Sequence, residues 1–333
     1  MSPAILNFIE TCLNGLMAGV MYSLVALGFV LIFKASGIFN FAQGVMALFA
    51  ALTLVGFQTG QVPFSHLINA IFGTDIHHWG GGMPTILAIV LAMGVMVLLA
   101  FLLERFVLKF LVNQEPIILF MATIGLAYFL EGLGDLMWGA DIKRMDVGLP
   151  SGGSFWWEDL TRAWAPPDAD YYGMYIDTLD VSAAIIAAIL VTGLTLFSQY
   201  TATGRALRAV ADDHQAALSV GISLRRIWVI VWSLAGFVAL VAGILWGAKS
   251  GVQFSLSLIA LKALPVLILG GFTSIPGAIV GGLIIGVGEK LAEAYVGPLV
   301  GGAIENWFAY MLALAFLLFR PQGLYGEKII ERI

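Results

Sequence analysis

An all-α, polytopic membrane fold is what this sequence predicts, and three observations carry that reading. Of 333 residues, 60% are hydrophobic and only 11% charged, a balance that no water-soluble domain keeps. Nine apolar segments recur, roughly 12–33, 41–57, 85–104, 117–137, 181–199, 227–247, 258–272, 275–293 and 304–319. Basic residues gather in alternate loops between them. A helix rises about 1.5 Å per residue, so about 20 residues cross the hydrocarbon core. Segments 41–57 and 258–272 are short for that distance and are expected to be tilted, broken or re-entrant. Eight or nine transmembrane helices are therefore expected, in a single transmembrane domain over residues 1–333.

The opening stretch, MSPAILNFIETCLNGL, has neither a basic n-region nor a small-residue cleavage site, so its apolar run reads as a retained span. Gly15 and Gly19 form a small-xxx-small patch that permits close helix approach. The span ends at Lys34, where Ala35-Ser36-Gly37 breaks it. Phe39-Asn40-Phe41-Ala42-Gln43-Gly44 then places two uncharged amides at the start of a short apolar helix. Asn40 and Gln43 either cap and solvate that helix entry or line a path for a polar solute, since polar side chains at membrane depth face a bundle interior.

The 58–84 loop contains no Lys or Arg, and its His77-His78 pair beside a Gly-rich run reads as a loop detail rather than a ligand pair. The 138–180 loop is acidic and aromatic, with Trp156, Trp157, Trp164, Tyr171, Tyr172 and Tyr175. Such side chains either rest at the membrane–water interface or meet a partner there.

Residues 203–228, TGRALRAVADDHQAALSVGISLRRIW, form the long polar segment of an otherwise apolar chain. Arg205, Arg208, Asp212, Asp213, His214 and Gln215 supply charge and polarity, while interspersed Ala, Leu and Val supply a helical face. Gly221 is expected to end this helix in a left-handed conformation, and Ser223 to cap the next. A surface helix of this kind suits either docking on a soluble partner or lying on lipid headgroups.

In the last third, Lys262 falls inside a short apolar segment. A charge at the bilayer centre costs about 2.5–3.5 kcal/mol on insertion scales, so Lys262 must snorkel, pair or face water. Pro265 and Gly270-Gly271 are expected to break this segment. Gly277, Gly281, Gly282 and Gly286 make a small-residue packing strip. Pro321 stops the last helix and Arg320 anchors it.

Lys34, Arg105, Lys109, the four arginines of the 205–226 loop, Arg320, Lys328 and Arg332 fall on one side, which positive-inside makes cytoplasmic. The 58–84 and 138–180 loops then face the periplasm, the N-terminus lies outside and the C-terminus inside. One re-entrant segment would break that parity at the N-terminus. A single cysteine, Cys12, excludes an internal disulfide, and four scattered histidines give no metal site. A long helix followed by a short, broken one occurs near 12 and 41 and again near 227 and 258, with opposite orientations. That is the pattern of an inverted repeat, and it makes Asn40, Gln43 and Lys262 candidates for one central translocation path.

Gln215-Ala216-Ala217-x-x-x-Gly221 resembles the EAA loop of ABC-importer permeases, although Gln stands where Glu is usual and the downstream Ile-x-Leu-Pro is absent. GRALRAVADDHQAALSVGI is similar to the loop of the branched-chain amino acid permeases of the LivH type. Three further regions resemble the same family. They are NGLMAGVMYSLVALGFVLIFKASGIFNFAQG, the stretch from Thr123 to Gly139, and, in the last third, residues 251–291 together with the RPQG ending at Arg320–Gly323. The 138–180 loop is longer than the family usually shows. The resemblance implies that the 203–226 loop couples to an ATPase through Arg205, Arg208, Gln215, Ala216, Ala217 and Gly221. It also implies two ABC ATPase subunits carrying the ATP and Mg, a LivM-type second permease and a periplasmic solute-binding protein. The setting would be the bacterial inner membrane, with lipid around the chain and no nucleic acid.

The cargo expected from the resemblance is a branched-chain or other hydrophobic amino acid, while relatives move urea, amides and other small organic solutes. This chain has no Gly-x-x-x-x-Gly-Lys-Ser/Thr loop, so it is not expected to be an enzyme or to hold a cofactor. A stand-alone secondary transporter or channel is the rival reading. It calls for buried acids within the spans, and no acidic pair is evident mid-span.

Overall fold

The computed structural model describes residues 1–111, 114–152, 155–166, 172–212 and 214–326. Lys328, Arg332, Asp213 and Tyr171, which figure in the sequence reading, lie outside them. The helices are α1 Pro3–Ser36, α2 Gln43–Thr59, α3 Ser65–Phe72, α4 Thr85–Leu103, α5 Pro116–Trp138, α6 Phe155–Arg162 and α7 Thr178–Tyr200. They continue with α8 Ala202–Asp212, α9 His214–Ser219, α10 Leu224–Ser250, α11 Ile259–Gly270, α12 Ile275–Tyr295 and α13 Glu305–Phe319. Among the described residues, six helices are long and apolar enough to span: α1, α4 with its extension to Leu111, α5, α7, α10 and α12. Three shorter apolar ones accompany them, Gln43–Thr59, Phe254–Gly270 and Glu305–Phe319. This is a polytopic helical membrane protein, and every apolar segment expected from sequence is a helix.

Two compact units interleave along the chain. One comprises Met1–Ala26, Gly148–Gly193 and Lys262 onward; the other comprises Leu27–Val147 and Leu194–Leu261. Helices α1, α7 and α11 each begin in one unit and end in the other.

In the second unit α2 is the centre. Its residues from Gln43 to Gly56 are all buried, because it is apolar on every side and is packed by α4, α5 and α10. Small residues permit these close approaches: a Cβ on Gly243 would lie 2.5 Å from the Ala47 carbonyl oxygen. In the first unit the predicted glycine patches meet. A Cβ on Gly19 would lie 2.6 Å from the Gly282 carbonyl oxygen, and one on Gly15 would lie 2.7 Å from Val287 Cα. Between them the Ser23 hydroxyl donates to the carbonyls of Gly19 (2.8 Å) and Ile279 (3.2 Å). Helices α1 and α12 thus pack backbone to backbone, as small-xxx-small faces allow.

Two local expectations are corrected. Pro265 does not break its segment: it lies inside α11, which begins only six residues earlier after a 3-10 turn at Phe254–Leu258 and runs on to Gly270. Loss of one intrahelical bond is tolerated there because the neighbouring helices hold the segment, and Gly271, at φ +102°, makes the stop. Ser223 occupies the N-cap of α10 but makes no side-chain cap bond.

Candidate translocation and coupling sites

Lys262 pairs rather than snorkels. Its Nζ lies 2.8 Å from Glu289 Oε1, and Glu289, on α12, is 2% exposed. The Tyr22 hydroxyl of α1 completes a triangle, accepting from Lys262 at 3.3 Å and donating to Glu289 at 3.2 Å. Glu305, at the start of α13, stands 4.0 Å from the same ammonium and 2.6 Å from Lys290 Nζ. Two ammonium and two carboxylate groups therefore balance within one unit, where an isolated charge would be prohibitive. The Lys262 side chain keeps 31% of its surface exposed, so the cluster is open on the lysine side.

Glu289 was not singled out by sequence; it is a single buried acid paired with a lysine rather than one of an acidic pair. Its signal was present in Gly288-Glu289-Lys290 near the end of an apolar segment, where a carboxylate reads as interfacial. Glu289 and Tyr22 join Lys262 as candidate site residues.

Asn40 and Gln43 come together in the other unit, and both are buried. Asn40 Nδ2 donates to Gln43 Oε1 at 3.2 Å, and Gln43 Nε2 donates to the Ala235 carbonyl of α10 at 3.2 Å. Asn40 Oδ1 accepts from the Ala42 N–H at 3.2 Å, which is the helix-entry role. Gly28 is what lets α1 pass over Gln43, since a Cβ there would collide with the Gln43 amide.

The described residues of the polar segment are helical over Ala202–Asp212 and His214–Ser219. Its arginines are used locally. Arg208 donates to the carbonyls of Ser198 and, at 3.3 Å, Gln199, while Arg205 donates to Tyr200 at 3.1 Å. These are carbonyls at the C-terminal end of α7, where no intrahelical donor is available and positive charge is favourable. Gln215 and Ala216 are exposed, whereas Ala217 is buried. Gly221 takes φ +84° and closes α9, its N–H reaching Leu218 O at 3.0 Å. Leu218 and Val220 are 52% and 74% exposed, which adds apolar surface beside Ala216. The side chain of His214 lies outside the described residues.

A further link was absent from the sequence reading. Arg225, at the start of α10, donates through Nε to Glu104 Oε2 at 3.0 Å. Glu104 is buried and opens a π-helical turn, Glu104–Leu108, at the end of α4.

A family model described as branched-chain amino acid transport system / permease component matches residues 11–320, which includes both sites. The chain belongs to that family. Relatives are similar along their whole length. The high-affinity branched-chain amino acid transport system permease protein LivH of Escherichia coli K12 is 28% identical, with all of both chains covered. BraD of Pseudomonas aeruginosa, of the same description, is 28% identical over 99% of this chain and all of its own. A probable LivH of Methanocaldococcus jannaschii is 28% identical over 91% of this chain and 88% of its own. The match thus runs from within α1 to just past the end of α13, and it takes in the segments compared with LivH-type permeases except Pro321–Gly323 of the RPQG ending.

Proposed function

We propose that this chain is the membrane-spanning permease subunit of an ATP-driven importer of branched-chain amino acids in the bacterial inner membrane. The observation that carries this reading is the family match over residues 11–320, a range that includes the exposed α9 segment. In this reading α9, with Gln215, Ala216 and Gly221, seats on an ATPase subunit, and two such subunits hydrolyse ATP. Arg205 and Arg208 position α8 from the end of α7, and Ala217 anchors α9 from beneath. A LivM-type sibling, a periplasmic binding protein and surrounding lipid complete the assembly, with the N-terminus outside and the C-terminus inside. Part of the 138–180 loop meets the binding protein; Ser154 and Pro167–Tyr171 of it lie outside the described residues.

The buried acid Glu289 favours a second reading, a stand-alone secondary transporter, because such acids mark ion-coupling sites. Its pairing with Lys262 supports a charge-neutral role instead. Uptake of labelled leucine into proteoliposomes separates the two. Uptake is expected only when the ATPase subunits copurify and ATP is hydrolysed. Uptake by this chain alone, driven by an ion gradient, would favour the second reading, and urea or amide uptake in place of leucine would change the solute.

Asn40 and Gln43 in one unit, and Lys262 in the other, are the proposed path residues. With Cys12 replaced by Ser, Asn40→Cys is expected to resist a water-soluble thiol reagent at rest, since Asn40 is fully buried, and to react during ATP turnover. Lys262→Cys, made with Glu289→Gln to leave no unpaired carboxylate, is expected to react at rest and to change rate with ATP. Labelling identical in both conditions at both positions would remove these residues from the path.

A further inference from the structure

Beyond the end of α2, a cavity of about 480 Å³ opens within the second unit, away from the amides described above. Its walls come from two loops that the sequence analysis read separately. Gln61, His77 and His78 belong to the 58–84 loop, and Asp141, Lys143 and Arg144 follow α5. Both walls are pinned by backbone. Gln61 and His78 form one antiparallel bridge, with the Val62 N–H bonded to His77 O at 3.0 Å. Lys143 and Val252 form another, bonded in both directions at 3.0 and 2.8 Å. The Gln61 amide is fixed as well, donating to Trp138 O at 2.9 Å and accepting from Lys143 Nζ at 2.9 Å.

The charges in this cavity are unbalanced. Lys143 is partly buried, and that burial holds its ammonium below the usual lysine range, opposed by the nearby Asp141 carboxylate. Yet the bonded acceptor of Lys143 is a neutral amide, and no salt bridge joins it to Asp141 among the described residues. Arg144 likewise has no ion-pair partner among the described residues. His77 is already answered by Asp75 at 3.0 Å. Two cations with no bonded carboxylate, and one carboxylate a short distance away, are pre-set for a ligand that brings a carboxylate and tolerates an anion nearby. The volume falls in the range of small-molecule sites.

We propose that this cavity binds a free α-amino acid, its carboxylate held by Lys143 and Arg144 and its ammonium facing Asp141. The choice of an amino acid as the carboxylate rests on the proposed function, whereas the site itself does not.

The test is equilibrium binding of labelled L-leucine to the permease purified in nanodiscs with its partner subunits, without nucleotide or binding protein. Saturable binding is expected, displaced by 4-methylpentanoate but not by 3-methylbutylamine. Lys143→Gln/Arg144→Gln is expected to weaken it at least tenfold and Lys143→Arg to retain it. Absence of saturable binding to a complex that still takes up leucine with ATP would overturn the cavity and leave the proposed function standing. Unchanged leucine binding in the double variant would overturn it equally. If that variant altered only the concentration of binding protein needed to stimulate ATP hydrolysis, the carboxylate would be a partner's side chain and the proposal would fail.

Discussion

Lys262→Met is expected to destabilise the protein by about 3–5 kcal/mol, the cost of breaking a buried ion pair from one side. Glu289→Gln is expected to cost less, about 1.5–3 kcal/mol, the worth of a hydrogen bond to a charged group. The asymmetry follows from exposure. Without Lys262, Glu289 is left 2% exposed with only the Tyr22 hydroxyl to hold it. Without Glu289, the ammonium retains 31% of its surface and has Glu305 4.0 Å away. Lys262→Met/Glu289→Leu should recover most of the loss, because replacing a buried pair by apolar side chains is close to neutral. Thermal unfolding of the purified protein in one detergent orders the variants. Equal or reversed losses for the two single changes would contradict the pairing.

Ala216→Glu is expected to reduce ATPase association roughly 30-fold, the effect of removing about 2 kcal/mol at a central contact. Ala216 is exposed on α9, so the new carboxylate meets water in the free chain and is buried only on docking. Gly221→Leu acts differently. No atom lies within 4 Å of the position its Cβ would take, so the cost is conformational, about 1–2 kcal/mol for a left-handed residue. It should loosen the end of α9 and impair ATP-driven uptake more than assembly. Ala217 is unsuitable for the test because it is buried and a charge there would disturb folding. Normal copurification of the ATPase and normal uptake in both variants, at equal membrane levels, would remove α9 from the coupling role.

The spans were legible because each is a continuous apolar run with a visible stop, and Gly221 was legible because its stop needs a left-handed residue. Lys262 stood out as an ammonium in an apolar segment. Its partner did not, because Glu289 lies 27 residues away on another helix and nothing in local periodicity joins the two. The same limit hid Glu104, which is 121 residues from Arg225, and Gln61, which is 82 from Lys143. Arg205 and Arg208 read as docking residues because their charge was visible, whereas the carbonyls they satisfy at the end of α7 were not. Pro265 read as a breaker from its own chemistry, and tertiary packing around α11 outweighed it.

The packing of α1 on α12 has a consequence for how the protein is made. Ser23 and Tyr22 find their partners 256 and 267 residues later. At about 5–20 residues per second, synthesis leaves the glycine face of α1 without its mate for roughly 13–50 seconds. Towards the end of that interval the second unit, whose last segment ends at Leu261, becomes complete, while the first still has only its N-terminal helix and the 148–193 segment. The newborn first helix must wait in the bilayer beside lipid or an insertion factor, its Ser23 hydroxyl held only by the Gly19 carbonyl and its Tyr22 hydroxyl without Glu289. Assembly of that unit is thus governed by the last third of the chain, and a ribosome that stalls before α12 leaves a folded half attached to an unmated helix.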